Sequence, residues 1–176
     1  MNIRQLMPAF LAVLLGGCVK LPENVQPVTG FEADRYLGSW YEIARLDHSF
    51  EKGLSQVTAQ YSLRDDGGIR VINRGYSEEE GEWQEAEGKA YFVEDENTGY
   101  LKVSFFGPFY GAYGIFELDK ESYDYSWVSG PDTGYLWLLA RTPQVTDELK
   151  QRFVERTGEL GFNTDELIWV EHQTEE

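Results

Sequence analysis

The chain has 176 residues, the length of one domain with room for a sizeable core. Its 15 basic and 31 acidic side chains give a formal net charge of −16, which repels nucleic acid and anionic lipid surfaces and excludes attachment to either by charge. A single cysteine excludes an internal disulfide, and two histidines far apart in sequence leave no metal-ligand spacing.

The first 17 residues read as a lipoprotein signal peptide. Arg4 is their only charge, and the apolar run from Leu6 to Leu15 is too short to span a bilayer as a mature helix. It ends in Leu15-Gly16-Gly17-Cys18, a small-small-Cys sequence that resembles the bacterial lipobox, where the cysteine is acylated and becomes the new N-terminus. Several acyl chains on Cys18 would give the durable anchoring that one chain does not. Val19 stands where an Asp is associated with inner-membrane retention, so the resemblance implies the outer membrane, on its periplasmic face. Residues 18–30, with Pro22, Pro27 and Gly30, read as an extended tether.

From there the apolar period is two, with turns at regular intervals. Strands are expected over Gly38–Arg45, Val57–Leu63, Ile69–Tyr76, Trp83–Val93, Tyr100–Phe106, Ala112–Leu118, Tyr123–Ser129 and Tyr135–Arg141. Asp65-Asp66-Gly67-Gly68 and Pro131-Asp132-Thr133-Gly134 are strong turns. Eight strands joined by short turns make an up-and-down antiparallel meander, and closing it into a barrel removes both exposed edges. Such a barrel either fills with side chains or holds one small ligand.

Alternate connections of a meander share an end. The polar turns at 65–68, 94–99 and 119–122 fall at one end, with Trp40 and Arg141. The connections at 48–54, 77–83, 107–111 and 130–134 fall at the other, where Phe50, Trp83, Phe109 and Tyr110 suggest either a greasy mouth or ordinary loop packing. Arg141 ends an apolar strand, and a guanidinium there needs carbonyls or an aromatic face; Trp40 supplies the face if the first and last strands meet.

Alternation assigns Val57, Ala59 and Tyr61 to one face with Leu63, and Trp137, Leu139 and Arg141 to one face of the last strand. Phe105 joins Leu101 and Val103; Phe116 joins Ala112, Gly114 and Leu118; both phenylalanines are assigned to the cavity. Asn73 shares the face of Ile69 and Val71, a polar group in an apolar wall that bonds either a ligand or a neighbouring Tyr. Tyr123–Ser129 has no face that alternation selects. Glu42 has the parity of Trp40, and if inward it is a buried carboxylate whose partner the sequence does not name.

After the barrel, Thr146 is a plausible N-cap for a helix from Asp147 to Leu160, which Gly161 stops. Leu149, Phe153 and Leu160 form a stripe suited to docking on the barrel wall. Leu167–Val170 reads as a short ninth strand, and 173–176 as a tail.

Tyr36-Leu37-Gly38-Ser39-Trp40-Tyr41-Glu42-Ile43-Ala44-Arg45, Gly107-Pro108-Phe109-Tyr110-Gly111 and Trp137-Leu138-Leu139-Ala140-Arg141-Thr142-Pro143, in that order, resemble the lipocalins. Residues 31–172 carry the likeness, which is strongest to the bacterial outer-membrane lipocalins, relatives of animal apolipoprotein D but without its disulfide cysteines. The resemblance implies an eight-stranded barrel with one flanking helix, a floor built on Gly38, Trp40 and Arg141, and a fatty acid or lysophospholipid as cargo. It carries Tyr61, Asn73 and Trp137 over as cavity-lining positions. No catalytic residue, cofactor or metal is implied. No nucleophile elbow, zinc helix or phosphate loop is present in the sequence, and no carboxylates form a recognisable pair. Binding is therefore expected rather than catalysis, by a monomer or homodimer. The alternative is an interaction lipoprotein with a filled barrel and no lipid cargo.

Overall fold

A computed structural model describes residues 19–173, so the signal peptide, Cys18 and the tail 174–176 lie outside the described residues. A four-residue helix α1 (Ala33–Tyr36) leads into β1 (Gly38–Leu46), followed by β2 (Leu54–Leu63), β3 (Ile69–Ser77), β4 (Glu82–Phe92), β5 (Tyr100–Ser104), β6 (Gly111–Leu118), β7 (Tyr125–Ser129) and β8 (Leu136–Ala140). Helix α2 (Asp147–Glu159) and strand β9 (Leu167–Trp169) complete it, with a 3₁₀ turn at Thr164–Glu166 between them. Neighbouring strands pair antiparallel in chain order. β1 closes the barrel by pairing with both β2 (Trp40 opposite Ala59) and β8 (Glu42 opposite Leu139). The expected closed eight-stranded meander is what forms.

Two irregularities decide which side chains face inward. β1 is bulged between Glu42 and Ala44, which brings Arg45 to the side of Glu42 although their spacing is odd. β6 is bulged between Ile115 and Glu117, and the inner core takes Tyr113, Ile115 and Leu118. Phe116, on the outer face with Gly114, does not line the cavity, and the bulge turns only Leu118 inward from that parity. The Phe116 ring stacks on Phe162 and meets Trp127 edge-on beneath α2, which corrects the parity reading of this strand. On β7 the ambiguity resolves by composition: Trp127 is sealed under α2, while Ser126 and Val128 turn inward.

Beyond Tyr41 opposite Thr58, β2 leaves β1, and Gln56 takes a left-handed backbone (φ 51°) where it departs. The vacated edge of β1 is covered by β9, Ala44 opposite Trp169. α2 is capped as expected, with the Thr146 hydroxyl accepting from Leu149 N at 3.2 Å and Gly161 (φ 94°) ending it. Its apolar stripe docks Phe153 on Trp127 at a ring distance of 5.2 Å, forming a second core outside the barrel.

Residues 19–30 are extended but do not hang free, which corrects the tether reading. Val28 exchanges backbone hydrogen bonds with Ile115 and Gly99, both 2.8 Å, and Val25 is buried. Leu21 lies over Gly114, where a Cβ would come within 2.5 Å of its side chain. The Val19 carbonyl accepts from the Tyr100 hydroxyl at 2.6 Å. The described chain is thus fastened to the outside of the β5–β6 hairpin from its first residue.

Candidate functional site

Inside the barrel is a cavity of about 330 Å³, open at the end of the β1–β2, β5–β6 and β7–β8 loops. Val57, Ala59 and Tyr61 of β2 line it, with Phe105 at the end of β5 and Trp137 and Leu139 of β8, as alternation places them. Asn73 lies in the wall among Ile69 and Val71, and its buried Oδ1 has no hydrogen-bond partner among the described residues.

The closed end is built on Trp40. The Arg141 guanidinium lies 3.8 Å above its ring and donates to the carbonyls of Ser39, Arg35 and Leu37 at 2.8–3.0 Å. Gly38 (φ 95°) sits against this guanidinium, its backbone conformation one that L side chains rarely adopt. Helix α1, which the sequence did not announce, lowers Tyr36 into the barrel. Its hydroxyl bonds those of Tyr113 (2.9 Å) and Ser126 (3.1 Å), and Tyr113 in turn bonds Tyr61 at 2.8 Å. Burial pushes the Tyr36 hydroxyl up to about 12 and those of Tyr61 and Tyr113 well above their usual range. The inner end of the cavity is therefore a neutral, mutually satisfied tyrosine cluster.

The mouth is aromatic. Phe50, Phe106 and Phe109 are 63, 73 and 79 % exposed, and Tyr110 borders the opening with its ring near Lys102. Trp83 stands at the same end but packs on Tyr76 beneath Arg74, off the cavity.

Between mouth and wall is a group of which the sequence reading anticipated only Glu42, without its partners. Glu42, Arg45 and Glu51 are each less than 10 % exposed. Arg45 donates to Glu42 Oε1 at 2.7 Å and to the carbonyls of Glu51 and Leu54 at 3.0 and 2.9 Å, so the β1–β2 loop is folded around a buried guanidinium. Glu51 Oε2 accepts from Trp137 Nε1 at 3.1 Å. Burial, then the neighbouring Glu51 charge, lift the Glu42 carboxyl well above the usual range against the pull of Arg45. For Glu51 burial works upward, but His48, Trp137 and a hydrogen bond from Glu42 outweigh it and hold it low. The two carboxyls are thus neighbours that shift in opposite directions, Glu42 upward and Glu51 downward, which corrects the expectation that no carboxylates pair.

His48, expected on a surface or loop, is in a loop, but its side chain is only 4 % exposed. Its Nε2 stands 3.1 Å from Glu51 Oε2, and its Nδ1 has no hydrogen-bond partner among the described residues. His172 contacts the Glu42 carbonyl at 2.7 Å on the far side of β1. The odd-numbered spacing of Glu42 and Arg45 hid this group, because only the bulge unites them, and a loop has no periodicity from which to place His48 or Glu51. Among the described residues no set of three or more His, Cys, Asp or Glu side chains is arranged to hold a metal.

A lipocalin-like domain family matches residues 31–172. The chain is 61 % identical to the outer membrane lipoprotein Blc of Vibrio cholerae over 97 % of this chain and all of that one. It is 55 % identical to outer membrane lipoprotein Blc of Escherichia coli K12, covering 85 % and 84 % of the two chains. Among solved structures, insecticyanin from the tobacco hornworm Manduca sexta superposes with a TM-score of 0.67 at 19 % identity, covering 85 % of each chain.

Proposed function

This chain belongs to the lipocalin family, and we propose that it is an envelope lipoprotein that holds one single-chain lipid, a fatty acid or lysophospholipid, in its barrel. In this reading Cys18 carries the acyl anchor, and the protein sits on the periplasmic face of the outer membrane for lipid storage, transfer or membrane maintenance. Similarity to two outer membrane lipoproteins and the small-small-Cys ending at residue 18 support the anchor.

The observation that carries the cargo is the cavity itself: open at one end, apolar along its walls, with polar groups gathered at the mouth and the inner end. That division suits a tail pointing inward and a headgroup at Phe50 and Phe109. The internal space also speaks against the filled-barrel alternative. Each buried methylene is worth about 0.8 kcal/mol, so affinity should rise about fourfold per methylene until the tail reaches the Tyr36–Tyr61–Tyr113 cluster.

The test is titration of delipidated protein with saturated fatty acids and lysophospholipids of about 8 to 18 carbons, read by tryptophan fluorescence. Trp137→Ala should weaken binding, and Gln60→Ala, on the solvent side of β2, should not. An affinity independent of tail length would reject an acyl-chain site. Solvent extraction of the purified protein followed by mass spectrometry should recover lipid.

A further inference from the structure

We infer that the open edge of β4, from Glu82 to Gly88, is a docking site for an extended, cationic segment of another protein, which adds to the barrel wall as a further strand with its basic side chains against Glu85 and Glu87. Residues 82–88 do not line the cavity, so this role is independent of the cargo.

The backbone supplies the site. β4 pairs with β3 from Glu82, opposite Ser77, to Ala90, opposite Ile69, but β5 meets it only over Lys89–Phe92. β5 ends at Ser104, where Phe105 packs over Gly88 and Gly107 and Pro108 break the strand. The N–H of Val93 donates to the Tyr100 carbonyl at 2.9 Å, and both registers run without a bulge. Bonding direction alternates along an antiparallel strand. Counting back by twos, Tyr91 and Lys89 turn their peptide groups to β5. Trp83, Glu85 and Glu87 turn theirs the same way, where no strand meets them, while Gln84, Ala86 and Gly88 bond β3. All of residues 82–87 are exposed. A row of free N–H and C=O groups is a template for strand addition. Seven residues at about 3.3 Å each give roughly 23 Å of edge, the length of an ordinary strand.

The side chains select the occupant. From Glu78 to Gly88 the chain has six glutamates and no lysine or arginine. Arg70 holds Glu87 at 2.6 and 2.8 Å, but Glu82 and Glu85 are in no ion pair among the described residues. Arg74, opposite Glu85 in the register, lies over the Trp83 ring instead, at 4.2 Å. A second copy of this chain is a poor fit. Antiparallel pairing of two such edges centred on Glu85 sets Glu85 against Glu85, and centred on Ala86 it sets Glu85 against Glu87. Like charges directly opposite destabilise a sheet, and a lysine or arginine at alternate positions reverses the sign. On its other face the edge offers Ala86 and the Phe105 ring over Gly88, which suits apolar residues between the cations.

The experiment titrates the isotope-labelled protein with a capped peptide of about nine residues alternating lysine and valine. A glutamate–valine peptide and a lysine–proline peptide, which keeps the charge but lacks the alternate N–H groups, are the controls. The lysine–valine peptide should bind, and amide exchange at Trp83, Glu85 and Glu87 should slow about tenfold, with little change at Gln84 and Ala86. Glu85→Pro deletes an outward N–H and none of the β3–β4 bonds, so it should weaken binding about tenfold. Glu85→Gln, which removes the charge alone, should weaken it about threefold. The wild-type exchange pattern decides the matter even if the proline variant does not fold. No binding, equal binding of either control peptide, or binding with unchanged exchange at the three amides would overturn the docking site. Slow exchange at those amides in the protein alone, quickening on dilution, would give the edge to a second copy and overturn the cationic partner.

Discussion

At the scale of single residues, a few polar side chains in an apolar barrel set its two ends. Trp40 is fully buried and Arg141 covers it while closing three carbonyls of the chain that enters the barrel. Trp40→Ala should cost about 3–5 kcal/mol, and Arg141→Ala a comparable amount through the unpaired carbonyls. A double-mutant cycle by urea denaturation should show coupling of about 1–2 kcal/mol; strict additivity would mean the stack contributes nothing. Glu42 gives a pH signature. Its folded-state pKa is raised, so its contribution to stability is complete below about 4.5 and is lost as pH rises through the folded value. Glu51 is lowered, so its contribution is present above about 4.5 and is lost as pH falls. Urea midpoints of Glu42→Gln should therefore lack the decline with rising pH expected of the native chain. An unchanged slope would mean that the Glu42 carboxyl is not raised in the folded chain.

At the scale of elements, the barrel wall is sealed outside by two segments of different legibility. Helix α2 announced itself through a cap, an apolar stripe and a terminating glycine, all local signals. Phe153 on that stripe is completely buried against Trp127. Phe153→Ala should destabilise the fold by about 3–5 kcal/mol yet leave tail-length dependence of lipid binding intact, since it lies outside the cavity. Loss of that dependence at matched folded fraction would mean the outer core shapes the inner one. The segment from Val19 to Gly30 has prolines and no periodicity, so nothing local reveals that it lies down on β5 and β6. Gly114 is the clue read backwards: it is the gap that Leu21 fills.

At the scale of the whole molecule, the proposed anchor at Cys18 would be joined to the cup almost without slack. Val19 is already bonded to Tyr100, so an acyl group on Cys18 would hold the barrel close to the membrane at its β5–β6 side, the hairpin whose tip carries Phe106 and Phe109. Cys18→Ser should move the protein to the soluble periplasmic fraction or leave its signal uncleaved, as read by fractionation and mass. A mature, membrane-retained Cys18→Ser protein would count against acylation as the anchor. With a net charge of −16, electrostatic attraction to an anionic bilayer offers no substitute.

The sequence by itself determined the strand count, the order and closure of the barrel, the floor pair, the capped helix and most of the cavity face. Each of these follows from a period of two, from turn chemistry or from motifs contiguous in the chain. Tertiary structure alone decided the rest. The bulge at Ile115–Glu117 turned Leu118 inward, away from the outer face that Phe116 shares with Gly114, and the bulge at Glu42–Ala44 brought Arg45 round to Glu42. The β1–β2 loop brought Glu51 and His48 over that pair, and α1 carried Tyr36 to Tyr61 and Tyr113. A bulge adds one residue without changing composition, and a loop has no period, so neither leaves a mark that pattern can read until the strands close around them.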